Sequence, residues 1–389
     1  MQDSSRYHYG QTIRTFRRQR GWTQAKLARL WPGGEVGMRY VQDIEYGEKR
    51  IANPDTLRNL SALLNIPLWH FGLSEYDPFY PDALSQGRQL HEETLNTVEC
   101  LIHQAWMSRS AALMHCAEKC SVQLNSLFLS FQRDLPPPFQ FEQRYLKLLA
   151  QAIRLNAVTL VEQKKYEAAR MAYQEMFQMA QQTNDPGVLA LAMMSYGSEL
   201  ERDGRAREAV EWLEGARDNS FQASKHIAAF VHTYLARVYA SRGDTLHFER
   251  AADTAYSLAT GVSNYGEGTD FVFARLSSIL AEQSWGYLQL KQPQKTLEMR
   301  DGISKQIERD GDRRLWAWIF LDWAKAYHMQ REIEASVGMA REFLHQVHSM
   351  RSPHAVTQAH SFIAQVRSDG YADVPVVRDF LEELTLLRM

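Results

Sequence analysis

From residue 139 onward the chain keeps returning to one phrase, and no other feature restricts its fold as much. A stretch rich in Ala, Leu and Tyr reaches a short polar turn, and a second stretch then opens around alanine. The turns fall at Lys164-Lys165-Tyr166, Asp203-Gly204-Arg205, Arg242-Gly243-Asp244, Lys291-Gln292-Pro293 and Gln330-Arg331-Glu332. A spacing near 40 residues, lengthened to nearly 50 once, is that of stacked helix pairs, in which each pair buries its apolar face against its neighbours. The second stretches open with Tyr166-Glu167-Ala168-Ala169, Ala206-Arg207-Glu208-Ala209, Phe248-Glu249-Arg250-Ala251 and Glu334-Ala335. Small alanines there let the paired helices cross closely.

Two proline-containing breaks precede the array. Tyr76-Asp77-Pro78-Phe79-Tyr80-Pro81 resists helix continuation, and Asp134-Leu135-Pro136-Pro137-Pro138 favours an extended strut. Between them, residues 82–131 read as two helices, with Leu90, Leu95, Val98, Leu101 and Ile102 on one face. The expected organisation is a head over residues 6–75, connecting helices over 76–138 and a repeat domain over 139–389.

The head has its own logic. Thr23 is placed to accept from the free amides of the helix that starts at Gln24, and Leu27 and Leu30 give that helix an apolar side. After a turn, Val36, Val41 and Ile44 recur at helical spacing, which leaves Met38, Arg39, Tyr40, Gln42 and Asp43 to face outward. Gly47 supplies the left-handed residue that ends the helix. Residues 1–72 hold 11 Lys and Arg against 6 Asp and Glu, whereas the whole chain is at −2. A basic head on an acidic body suits a protein that sets one end on nucleic acid and keeps the other off it.

These residues resemble the Cro/C1-type (XRE) helix-turn-helix family over about 64 residues. The carriers are Arg17, Thr23-Gln24, Leu27-Ala28, Ile44-Glu45-Tyr46-Gly47, Asn53-Pro54 and the run Leu57, Leu60, Leu63, Leu64, Ile66. The resemblance implies that the third helix enters the major groove and that Gln24 meets a phosphate. Met38, Arg39, Tyr40 and Asp43 match base-reading positions, with Gln42, Lys49 and Arg50 beside them. Arg39 has the side chain for bidentate bonding to guanine O6 and N7. Arg17 and Glu45 match a structural salt bridge of the family. The turn Trp31-Pro32-Gly33-Gly34-Glu35 departs from the pattern by about three extra residues.

The array resembles the tetratricopeptide repeats, with a longer period and no complete consensus. Together these readings predict an all-α chain: a five-helix Cro/C1-type domain followed by a superhelical tetratricopeptide-like α-solenoid. In such solenoids the first helix of each pair lines the concave face, which nominates Asn156, Tyr196, Glu199, His232, Tyr234, Arg237, Arg275, Gln283, Trp316 and Asp322 as ligand contacts. Tyrosines and tryptophans at this spacing also serve as inter-helix packing. The terminal stretch Asp379-Phe380-Leu381-Glu382-Glu383-Leu384 reads either as a cap on the stack or as a surface for a partner subunit.

The joint arrangement resembles the RRNPP group of bacterial regulators, which are cytoplasmic, often dimeric, and change DNA affinity when a signalling peptide binds the repeats. The resemblance implies double-stranded DNA, a short peptide effector of the quorum-sensing kind and a second copy of the chain as partners. An interaction scaffold, with repeats that hold a protein and a head that only localises it on DNA, fits the same architecture. No enzyme class competes. Gly261, Gly266 and Gly268 lack the Lys-Ser or Lys-Thr of a phosphate loop, and His345, His348 and His354 lack metal spacing. Cys116 and Cys120, beside His115, have no fourth ligand at hand. No cofactor is expected. Three cysteines suggest a reducing compartment, and the apolar run Leu315–Leu321 is too short to span a bilayer.

Overall fold

The structure, a computed structural model, describes residues 9–71, 73, 82–134, 137, 139–261 and 270–386. The 76–81 break, most of the 135–138 strut, and Gly266 and Gly268 lie outside the described residues. Every regular element among those described is helical, and the chain divides into two compact units, Met1–Glu92 and Glu93–Met389.

In the first unit, α1 (Tyr9–Gln19), α2 (Gln24–Arg29), α3 (Met38–Tyr46) and α4 (Pro54–Leu64) are followed by a single 3₁₀ turn, Leu68–Phe71, in place of a fifth α-helix. Caps set their limits. The Thr23 hydroxyl accepts from the Lys26 amide at 3.1 Å, Asn53 accepts from Asp55 with Pro54 in the first turn, and Gly47 closes α3 at φ 88°. Ile13, Leu27, Val41, Ile44, Leu57, Leu60 and Leu64 form one buried core. Val36 does not begin α3 as its spacing suggested. Its amide donates to the Ala28 carbonyl at 3.0 Å, which ties down the long loop, and α3 starts two residues later.

α5 (Asp82–Ser110) and α6 (Met114–Asp134) lead into the array. Leu95, Val98 and Ile102 are fully buried, but Leu90 is half exposed. Five residues at 100° each set Leu90 far from Leu95 around the helix, and His91 takes the inward place. The pairs are α7 (Phe139–Glu162) with α8 (Tyr166–Gln182), α9 (Pro186–Arg202) with α10 (Ala206–Ser220), and α11 (Lys225–Ser241) with α12 (Thr245–Thr260). α13 (Leu276–Gln289) packs on two shorter helices, α14 (Pro293–Glu298) and α15 (Arg300–Asp310), and α16 (Arg313–Met329) pairs with α17 (Ile333–Met350). α18 (Pro353–Val366) and α19 (Pro375–Leu386) complete the chain. Val377, Phe380 and Leu384 of α19 are buried with residues of α17 and α18, so its apolar face caps the stack.

All five turns read from the sequence share one geometry. Each holds a left-handed residue (Lys164, Gly204, Gly243, Lys291 or Arg331), and the next amide reaches back five residues to a helix carbonyl at 2.8–3.0 Å. This is the Schellman closure. The longer spacing before Lys291 comes from the stretch between α12 and α13. Close crossing is real at Gly286, where a Cβ would lie 2.2 Å from the Phe248 ring.

Candidate functional site

Charge inside the head is consumed by the head. Arg17 grips Glu45 with two bonds, Nε to Oε1 at 2.5 Å and Nη2 to Oε2 at 2.9 Å, and its Nη1 donates to the Trp22 carbonyl at 2.6 Å. Both side chains are buried. The pair therefore joins α1 to α3, as a planar guanidinium fork on a carboxylate does. Gln24 adds a third donor to Glu45 at 2.8 Å and accepts from Gln42 at 3.2 Å. This chain from Arg17 through Glu45 and Gln24 to Gln42 fixes the angle of α2 against α3.

What remains outside is the front of α3. Gly37 precedes it without a side-chain cap, and Met38 and Arg39 are exposed in its first turn. Tyr40 packs edge-on against buried Trp31 at 5.4 Å, which anchors the lengthened turn under the helix. Lys49 pairs with Asp43 at 2.8 Å and lies over the Tyr40 ring. Asp43 is thus answered within the protein, and its negative charge no longer opposes a phosphate backbone. Arg50 is exposed. The helix front offers hydrogen-bond donors, a methionine and positive charge, the combination that meets base edges and phosphates.

The second unit contains a cavity of about 340 Å³. Its walls come from the first helix of each pair: Glu162 of α7, Glu201 and Arg202 of α9, Tyr234 and Arg237 of α11, Glu282 and Trp285 of α13, and Arg314, Trp318, Asp322 and Lys325 of α16. Arg109 of α5, Tyr173 of α8 and His354 of α18 complete them. At one end, Glu162 accepts from Arg109 and Arg314, each at 3.3 Å, and from the Ser352 hydroxyl at 2.7 Å. Burial opposes the Glu162 charge, yet Arg314, Arg109 and Ser352 together bring its carboxyl down to about 2. Burial, and then the like charge of Arg314, bring Arg109 down to about 10.

At the other end the ratio is inverted. Arg237 donates to Glu201 at 3.0 Å and to Glu282 at 2.8 Å, and stacks 3.9 Å from the Trp285 ring centroid. Burial works against its charge, but Glu282 and Glu201 raise its pKa regardless. Asp322 is half-buried and makes no hydrogen bond or salt bridge among the described residues. Burial, helped by Glu282 and opposed by Lys325 and Arg237, pushes it up to about 6.

Of the ten ligand contacts nominated from sequence, Tyr234, Arg237 and Asp322 line the cavity and the other seven do not. Tyr196 is buried, accepts from Gln174 and packs on Trp212. Glu199 is buried against Arg202 at 2.7 Å, with burial raising its pKa. Arg275 is buried against Asp312 at 3.0 Å. Burial lowers the half-buried His232. Asn156 and Gln283 are half-buried, and Trp316 stacks on Phe320. Except for Arg275, which precedes α13, the nominated residues outside the cavity lie one or two positions from residues that line it. Arg314, Trp318 and Asp322 lie four apart on one stripe of α16, a period visible in the sequence, while Trp316 lies two residues off it. Arg109 and His354 carried no local signal.

Among the described residues, no cluster of three metal-ligating side chains occurs, and no helix is long and apolar enough to cross a membrane.

Compared with known proteins, residues 13–68 match the helix-turn-helix family, which gives the chain a DNA-binding domain. No curated protein matches the chain in sequence. Among solved structures, the chain aligns with Bacillus thuringiensis PlcR, crystallised in complex with the peptide PapR7 and DNA. Identity is 12%, with 92% of this chain and 99% of that one covered, and the TM-score is 0.43.

Proposed function

We propose that this protein is a cytoplasmic, dimeric transcriptional regulator whose α3 reads the major groove and whose repeat cavity holds a small effector, a short peptide, that changes DNA binding. The observation that carries the DNA half of this reading is the division of charge in the head. Arg17, Glu45, Gln24, Gln42, Asp43 and Lys49 are engaged with one another, whereas Met38, Arg39 and Arg50 stand exposed where a reading helix meets the duplex. The effector half is supported by a cavity of about 340 Å³, within the range of small-ligand sites, whose walls are drawn from every first helix of the array. An effector can shift the heads only by binding one arrangement of the array better than another.

The experiment is to purify the full chain from its native host under mild conditions, identify what is bound by native mass spectrometry, and measure DNA affinity with and without it. A bound short peptide whose removal changes DNA affinity is the expected result. A stoichiometric bound protein, with DNA affinity indifferent to its removal, would identify a scaffold instead.

A further inference from the structure

The charges of the cavity are sorted by sign, and we infer that it binds a zwitterion: a short peptide with both termini free, its carboxylate at Arg109 and Arg314 and its ammonium at Asp322. This rests on the reading of the cavity as the effector site and adds to it the ligand's termini, length and orientation.

The argument starts from unequal pairing. Two guanidiniums, of Arg109 and Arg314, share the single carboxylate of Glu162, which leaves that end with surplus positive charge. At the opposite end Glu201, Glu282 and Asp322 face Arg237 and Lys325, leaving surplus negative charge. Arg202 is neutralised by Glu199 and adds to neither. A buried charge without a full complement is costly, so a cavity with one surplus of each sign is completed by a ligand that carries both signs.

Hydrogen bonding points the same way. The partly exposed guanidiniums of Arg109 and Arg314 each place one nitrogen on Glu162, and a ligand carboxylate is the acceptor that their remaining donors take. At the other pole, Asp322 is, among the described residues, an acceptor with no hydrogen-bonding donor, which is what an ammonium supplies.

Helix geometry sets the scale of the length. Arg314 and Asp322 are eight positions apart on α16, so their Cα atoms stand about 12 Å apart along the helix axis. An extended chain advances about 3.3–3.6 Å per residue, so three or four residues span that distance. Trp318, midway along the stripe, presents an aromatic ring between the poles.

The test uses the full chain and three random tetrapeptide libraries: free at both ends, N-acetylated, and C-amidated. Each is incubated with the protein, separated by gel filtration and quantified by mass spectrometry. Retention of the free library should exceed that of either capped library by about tenfold, the loss expected for one desolvated charge-assisted pair. Asp322→Asn should abolish the preference against N-acetylation alone, and Arg314→Gln the preference against C-amidation alone. Arg314→Lys should partly restore the latter, and circular dichroism establishes that each variant is folded. Equal retention of all three libraries, or retention of none, overturns the assignment. DNA affinity measured on the same preparations separates the two readings. DNA binding that responds to the co-purified effector, with no preference for free termini, defeats only the zwitterion.

Discussion

The two units bury charge in opposite ways, and the difference separates scaffold from site. In the head, buried Arg17 and Glu45 satisfy each other in a bidentate pair, with Gln24 and the Trp22 carbonyl taking up further bonding capacity. Nothing in that network asks for an outside partner. In the array, Glu162 is shared by two arginines, Arg237 is shared by two glutamates, and Asp322 makes no hydrogen bond among the described residues. Balanced buried charge holds helices together. Unbalanced charge around a cavity leaves binding capacity for a ligand.

The comparison breaks most readily in the head. Glu45→Ala strands a buried guanidinium and should cost about 3–5 kcal/mol, as the loss of one partner of a buried pair does. Replacing both, Arg17→Met with Glu45→Leu, should recover most of that loss in urea unfolding followed by circular dichroism. If Glu45→Ala unfolds at the wild-type midpoint, the pair is not the scaffold described here.

In the array the test is pH. The Glu162 carboxyl is lowered to about 2 from an ordinary value of 4.5, so its contribution is present above 4.5 and fades as pH falls toward 2. Asp322 is raised to about 6 from 3.8, so stability associated with its protonated form is present below 3.8 and is lost as pH rises through 6. Each should amount to about 1–3 kcal/mol. Glu162→Gln should flatten the acid limb of the unfolding midpoint. Asp322→Asn should flatten the fall between pH 4 and 6 and raise the midpoint at pH 7. Identical profiles for wild type and both variants would mean that the two carboxyls are ordinary.

The smallest effect on the fold is expected outside both networks. Arg39→Ala touches no buried partner and should leave stability within about 0.5 kcal/mol. In a binding-site selection it should relax preference at one base pair, by about 1–3 kcal/mol. Unchanged specificity would show that α3 is placed in the wrong register.

The sequence carried the head further than the cavity, for physical reasons. Caps are local: Thr23, Asn53 and Gly47 each act within a turn of where they stand. The Asp43–Lys49 pair was less visible, because nothing in the composition says which exposed lysine folds back on which acid. In the array the turns were legible, including those at Lys164, Lys291 and Arg331, where a charged residue takes the left-handed position that glycine adopts more easily. The lining faces were not. α9 and α11 are buried around most of their circumference, so apolar periodicity does not mark the inward side. Arg109 and His354 meet at one cavity from opposite ends of the unit, and only the folded chain brings them together.

The central claim is that the front of α3 meets DNA. The most direct measurement is the affinity of the full chain for a selected duplex as salt is raised. Phosphate contacts release counterions, so log K should fall linearly with log salt, with a slope near −0.9 per phosphate neutralised. A flat response, or affinity no greater than for unrelated duplex, would contradict it.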